Sequence, residues 1–372
     1  MRIMYILHSL YVGGAETIAT NYLIELKKRG FDVALIEVWH SESFLYSRLM
    51  EHGIDVEIIF DGKKDLLSKF KRKLCQKDTL QKRIKTLVET FKPDIIHNHS
   101  NMIYLKKIDF PMNRVFLTFH SDLFRYLSGL SSEESQFLKS CVDEGLNLIA
   151  ISSNILADVK KEYPTGRVLL IPNGVYIDDI KGKTYSREDI ERRFGIGKNS
   201  FLVGHIGRFN KVKNHERLIE IFKVIHDKRS NSCLLLVGGG TDREIGALKK
   251  KANEMGLQSA IVFAGVCSDS AAIASAFDVM IVPSLAESFS LVMVEAQAHH
   301  VRCIGSSVIP KEVFCNRNCI SLPLEMGNDV WAEYALDTVE KEESSDIRRF
   351  DIAAVIDQHI AIYAKANEIA LP

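Results

Sequence analysis

No apolar stretch in this 372-residue chain approaches the ~20 residues that a membrane-spanning helix requires. Net charge is absent too: 48 Lys and Arg stand against 48 Asp and Glu, so no global field draws the chain to nucleic acid or membrane. Proline is scarce, with 8 residues, and the composition is 46% hydrophobic and 26% charged, which excludes disordered and collagen-like readings. The seven cysteines, at 75, 141, 233, 267, 303, 315 and 319, include no C-x-x-C pair and no His at a zinc-like spacing from Cys315 and Cys319. They are expected to be reduced thiols of a cytoplasmic protein. A G-x-G-x-x-G fingerprint is missing after the first apolar run, which disfavours a nicotinamide-binding domain. The opening MRIMYILHSL pairs a basic residue with an apolar core too short for a secretion signal and reads as a first buried strand.

What is present is a long alternation of short apolar runs and amphipathic segments. The runs at 3–7, 33–38, 56–60, 94–97, 114–119, 147–152 and 167–172 are rich in Val, Ile and Leu without strict alternation, as parallel strands covered on both faces should be. A second series follows at 201–206, 233–238, 260–265, 279–283 and 301–305, after a polar, glycine-bearing stretch at 173–198. Between strands, Ile18, Tyr22, Leu23 and Leu26 form one helical stripe that Gly30 terminates. The pattern predicts an α/β protein of two doubly wound, Rossmann-like domains, 1–175 and 176–345, with a helix over 346–372 crossing back to the first.

The segment 63–85 departs from the average, with ten Lys or Arg against Asp65 and Asp78, and Leu66, Leu67, Phe70, Leu74, Leu80 and Ile84 at near-helical spacing. Either it is a solvated helix face or it is an interfacial helix attracted to an anionic membrane surface. Aromatic residues are nearly absent from it, so nucleic acid is not an expected partner.

Three strand-to-helix connections carry candidate chemistry. A Gly pair, Gly13-Gly14, opens a helix after the first strand, where free backbone amides can approach an anion. After the strand 201–206, Arg208 and Lys213 can converge at the C-terminal edge of a sheet, the ligand side of doubly wound folds, where two cations suit a diphosphate. A solvated basic loop is the plain alternative. After the strand 279–283 come Glu287, then Phe289, Ser290 and Leu291 at a helix start, then Glu295 two turns along the helix. Carboxylates there can accept hydrogen bonds from sugar hydroxyls, and helix amides can face a phosphate. His120 ends a strand, and His97 and His99 lie two apart on another strand end without an evident third metal ligand.

Taken in order, GGAET (13–17), TFHSD (118–122), IPNGV (171–175), GRFNKVKNH (207–215), VPSLAESFSLVMVEAQA (282–298) and KEV (311–313) resemble the retaining glycosyltransferases of family 4, with the GT-B fold of two domains facing a cleft. Within that family the chain looks most like bacterial enzymes that assemble capsule, exopolysaccharide or lipopolysaccharide O-antigen. The resemblance implies a nucleotide-diphosphate-sugar donor, UDP favoured over GDP, and a lipid-linked or growing saccharide acceptor. It implies that Arg208 and Lys213 bind the diphosphate, that Glu295 holds the ribose, and that Glu287 and His120 face the transferred sugar. Gly14, Phe289, Ser290 and Leu291 would line the phosphate and sugar, and Val266 and Cys267 would contact the base.

No D-x-D triplet occurs in the chain, and the expected transfer is metal-independent with retention at the anomeric carbon and no cofactor besides the donor. Two positions depart from the family pattern: Ser288 replaces the usual Gly, and Cys267 stands where many members have Arg. The expected location is the cytoplasm, with peripheral attachment to the inner face of the membrane through 63–85. A nucleotide-sugar epimerase or hydrolase, and a non-catalytic sugar-nucleotide-binding scaffold, are the alternatives.

Overall fold

A computed structural model describes residues 1–11, 13–61, 76–337 and 345–368. The chain divides into two compact units, Met1–Gly174 with Ile352–Pro372, and Val175–Asp351. Each is built on one parallel sheet. In the first unit β1 (Arg2–Leu7), β2 (Asp32–Trp39), β3 (Asp55–Phe60), β4 (Ile95–Asn98), β5 (Val115–Phe119), β6 (Asn147–Ala150) and β7 (Arg167–Leu170) lie in the order β3-β2-β1-β4-β5-β6-β7. In the second, β8 (Phe201–Ile206), β9 (Ser232–Val237), β10 (Ile261–Gly265), β11 (Val279–Val282), β12 (Arg302–Ser306) and β13 (Ile320–Leu322) lie in the order β10-β9-β8-β11-β12-β13.

The reason is legible in the strands themselves. Ile3 to Leu7 in β1 and Leu234 to Val237 in β9 are buried on both sheet faces, which only helix-covered parallel strands allow. Both sheets reverse their strand order beside the first strand, between β1 and β4 and between β8 and β11, and ligand crevices form at such switch points. Strand β13 has no counterpart among the apolar runs, because three residues of ISL carry too little hydrophobic signal.

The second unit's core joins Leu218, Phe222, Leu234, Ile281 and Trp331. At Gly204, in β8, a Cβ atom would lie 2.0 Å from the Phe277 ring, so the strand packs there only because a side chain is missing.

The expected single helix over 346–372 is two elements instead. Residues Ser345–Phe350 form a 3-10 turn, and the α-helix is Ile352–Glu368. The Val175 N–H donates to the Phe350 carbonyl at 2.9 Å, and Val175 pairs with Asp351 as a parallel bridge, which takes backbone groups that a continuous helix would use. The α-helix packs on the first unit, where Tyr363 is fully buried and His359 nearly so.

Most of the basic 63–85 segment lies outside the described residues. Its C-terminal end enters the helix Gln76–Phe91, where Ile84 is buried and Arg83 donates to the Ile58 carbonyl of β3 at 3.1 Å. That guanidinium therefore serves the sheet edge. Among the described residues no helix is long and apolar enough to cross a membrane.

Candidate functional site

In the second unit the loops after β8 and β11 are tied together by one backbone and one side-chain hydrogen bond. Asn210 caps a 3-10 turn, Lys211–Lys213, by accepting from the Lys213 N–H at 3.1 Å. Asn214 then turns left-handed (φ 56°) and its side-chain amide donates to the Pro283 carbonyl at 3.0 Å. The Leu285 N–H donates to the Val212 carbonyl at 2.7 Å. These bonds set Lys213 against Glu287, with Nζ 2.5 Å from Oε1, and the same carboxylate oxygen accepts from the Ser284 hydroxyl at 2.8 Å. Ser284 is fully buried, and its carbonyl accepts from Ser306 of β12 at 2.6 Å, so the pair rests on the sheet itself.

Arg208 precedes this turn on an exposed backbone position and, among the described residues, has no hydrogen-bond or ion-pair partner. An unengaged guanidinium at a switch-point edge is available to a ligand anion. The loop also depends on Gly238 after β9, whose φ is 147° and where a Cβ would lie 1.9 Å from the Gly207 carbonyl oxygen. Only glycine lets those two turns touch.

The helix Leu291–Ala298 begins at Ser290, which is left-handed (φ 81°) and buried with its hydroxyl unpartnered among the described residues. Ser288 does not have a positive φ, so the backbone accepts its Cβ in place of the family's glycine. Phe289 turns its side chain into the interior. Its ring is buried edge-on against Phe350 at 5.2 Å, where it anchors the helix start, and its backbone is what remains for a ligand. Glu295 is partly accessible, has no partner among the described residues, and burial pushes its carboxyl up to about 7.

Val266 and Cys267 follow β10. Val266 is 83% exposed, and Cys267 is half-buried with its thiol pushed upward by burial. His205 and His215, unassigned from sequence, belong to the packing of this unit, with rings 4.7 Å apart and His205 Nδ1 bonded to the Ile281 carbonyl at 2.8 Å. A cavity of about 420 Å³, lined by Phe209, Asn210, His215, Glu244 and Leu285 among others, borders the same loop, and none of the sequence-predicted site residues lines it.

In the first unit Gly14 starts the helix Gly14–Lys28, and open space surrounds the position a Cβ would take there. His120, at the end of β5, is partly accessible and bonded through Nε2 to His99 Nδ1 at 2.8 Å. Burial lowers its pKa to about 4, so it is neutral near pH 7. His97 is fully buried, stacked on His99 with centroids 4.1 Å apart. Among the described residues no group of three or more His, Cys, Asp or Glu side chains is arranged to hold a metal ion.

The structure thus brings Lys213 and Glu287 together and places Arg208, Ser290 and Glu295 on the same two connections of the second sheet, whereas His120 and Gly14 belong to the first unit. Sequence reasoning missed Ser284 and Asn214, single polar residues whose roles arise only when the two loops meet.

Known proteins carry the same halves. Residues 12–179 match the model described as Glycosyltransferase Family 4, and residues 200–332 match the model described as Glycosyl transferases group 1. The chain is 30% identical over 168 residues to EpsF of Bacillus subtilis (strain 168), an alignment covering 45% of this chain and 43% of EpsF. It is 29% identical over 145 residues to the Escherichia coli UDP-Gal:alpha-D-GlcNAc-diphosphoundecaprenol alpha-1,3-galactosyltransferase, covering 38% of this chain and 37% of that protein. The aligned stretches therefore span less than half the length of these relatives. The fold matches Anabaena HepE, solved in complex with UDP and glucose, with a TM-score of 0.75 and 18% identity over 98% of this chain and 99% of HepE. Both halves of the chain thus match glycosyltransferase models, that of family 4 in the first and that of group 1 in the second, and the chain has two Rossmann-like domains.

Proposed function

We propose that the protein transfers a sugar, with retention and without a metal ion, from a UDP-sugar to a lipid-linked or growing saccharide acceptor in cell-surface polysaccharide assembly. The observation that carries this reading is the Lys213–Glu287 pair, buttressed by Ser284 and flanked by the unengaged Arg208 at the switch point of the second sheet. Breaking a sugar–diphosphate bond puts negative charge on the departing nucleotide, and two preorganised cations beside helix amides offset it. Glu287 holds the lysine in place and takes a sugar hydroxyl. Glu295, whose carboxyl sits close to neutrality, takes the ribose hydroxyls. UDP as the donor nucleotide is supported by the match of residues 12–179 to the family 4 model and by the UDP complex of HepE, and a lipid-linked acceptor by the diphosphoundecaprenol substrate in the name of the Escherichia coli relative. Peripheral attachment to the inner membrane face through 63–85 is a separate part of the proposal, resting on that segment's charge. Its test is binding to vesicles containing anionic lipid, which charge reversal in 63–73 should abolish.

Thermal melting with UDP, GDP, CMP, ADP and NAD at matched concentrations tests the donor site. A ligand at 100 times its Kd stabilises by about 2.7 kcal/mol, so a shift with UDP that vanishes in Lys213→Ala supports the reading. A shift with NAD alone, or with none, overturns it. Acceptor-dependent UDP release separates a transferase from an epimerase or hydrolase.

A further inference from the structure

We propose that His99 is a positioning residue that fixes the tautomer of His120, so that His120 presents an Nδ1–H, as a neutral hydrogen-bond donor, to a sugar hydroxyl at the C-terminal edge of the first unit's sheet. This rests on the functional reading above for the identity of the ligand, but not for the tautomer itself.

The argument begins with proton counting. A neutral imidazole has one donor and one acceptor nitrogen, so the 2.8 Å contact between His99 Nδ1 and His120 Nε2 contains one shared proton. It can belong to either ring. The other nitrogen of His99, Nε2, is buried and has no partner among the described residues. Were the shared proton carried by His120, His99 would have to keep its own proton on Nε2, as a buried N–H bonded to nothing. Orphaned buried N–H groups are rarer than unfilled acceptor lone pairs. The proton therefore sits on His99 Nδ1 and is donated to His120 Nε2, and the remaining proton of His120 is on Nδ1. That nitrogen has no protein partner among the described residues, and the His120 side chain is partly accessible at the C-terminal edge of β5.

The rings around His99 hold it in register. His97 stacks on it at 4.1 Å and is itself bonded at both nitrogens, by Nε2 to the Thr118 hydroxyl at 2.7 Å and by Nδ1 to the Tyr363 hydroxyl. Tyr363, on the helix Ile352–Glu368, also meets the Tyr5 hydroxyl of β1 at 3.1 Å. The Tyr5 ring packs 4.8 Å from His99. A run of contacts thus passes from the C-terminal helix through His97 and His99 to His120, and each member has its rotamer set by its neighbours. Burial, together with repulsion among His97, His99, His120 and His359, keeps the rings uncharged, so His120 serves as a donor and not as a base.

The test uses the full chain labelled with ¹⁵N-histidine, with His120 assigned by its loss in His120→Asn. Long-range ¹H–¹⁵N spectra should show His120 protonated at Nδ1 and bare at Nε2; protonation at Nε2 overturns the proposal. His99→Gln keeps a side-chain N–H donor, and His99→Phe keeps the stack without one. With UDP-glucose, UDP-galactose and UDP-N-acetylglucosamine as probes, His99→Phe should lower kcat about tenfold to a hundredfold with donor KM nearly unchanged, as misplacement of one contact does, and His99→Gln should recover most of it. Equal losses in both variants, or an unchanged His120 tautomer in His99→Phe, would mean that His99 only fills space. The UDP-induced melting shift of the unsubstituted protein is read in parallel. Its absence sinks the donor assignment while the spectra still decide the tautomer.

Discussion

The two units share one topology and use its ligand edge in opposite ways. In both sheets the strand order reverses beside the first strand, and in both the candidate residues follow the C-terminal ends of strands at or within two strands of that point. The second unit places charge there: Lys213 paired with Glu287, a free Arg208, and glycines that let the turns close. The first unit places a largely buried, uncharged network there, in which His99 bonds His120, and His97 bonds the Tyr363 hydroxyl, which in turn meets that of Tyr5. Anion binding needs fixed positive charge, whereas orienting an uncharged sugar needs donors and acceptors with set directions. One architecture supplies both because the loops, not the sheet, carry the chemistry.

The contrast predicts unequal responses to acid. A buried histidine whose folded pKa lies below that of the unfolded chain stabilises the protein above pH 6.5 and loses that contribution as pH falls toward its folded value. Between pH 7 and pH 5, His120 (about 4) and His359 (about 3) should each cost the first unit on the order of 2 kcal/mol. His97 and His99, held well below the usual range by burial, act in the same direction. In the second unit His215 (about 4), His205 and His299 are lowered by burial and behave likewise, but Glu295 opposes them: its raised carboxyl, near 7, contributes stability at low pH that is lost as pH rises. Hydrogen exchange at pH 7 and pH 5 should therefore show protection falling further in peptides of β1, β4 and β5 than in those of β8 and β11. Equal losses would break the comparison.

Catalysis should divide in the reverse sense. Lys213→Ala removes a cation aimed at developing charge and should lower kcat by about 10²–10³. His120→Ala removes one neutral hydrogen bond and should cost less, about tenfold to a hundredfold, with UDP binding retained. A larger loss at His120, measured as UDP release at saturating donor, would put the dominant contribution in the first unit. Next in size is packing. Gly204→Ala drives a methyl group into the Phe277 ring and should destabilise the second unit by about 1–3 kcal/mol, read by chemical denaturation followed through exchange in each unit. Smallest are the surface ion pairs. Asp32→Asn, facing Arg2 at 2.9 Å, and Asp227→Asn, facing Lys223 at 2.5 Å, should each change stability by less than about 1 kcal/mol, with no difference between units.

Much of this was legible before any coordinates. The apolar runs match twelve of the thirteen strands because strands covered on both faces must be apolar throughout, and the missing β13 is three residues long. The Arg-x₄-Lys and Glu-x₇-Glu spacings stood out because each lies on one local connection. Ser284 and Asn214 did not, since a lone Ser after a proline and an Asn before a helix are everyday residues until the loops after β8 and β11 meet. For Phe289 the sequence offered only a backbone amide at a helix start; that its ring packs on Phe350, a partner 61 positions away in the chain, took the fold to show.

The residue pattern alone determined the alternation of strand and helix and the two-domain organisation, because periodicity is a property of contiguous chain, and its motifs carried the resemblance to glycosyltransferases. Tertiary structure decided which cation pairs with which carboxylate, where the C-terminal helix breaks at Asp351, and which proton His120 keeps. Those outcomes depend on hydrogen bonds between residues from 21 to 175 positions apart. In a buried site such bonds settle charge state and tautomer, since a polar group out of water takes whatever partner the fold has placed beside it.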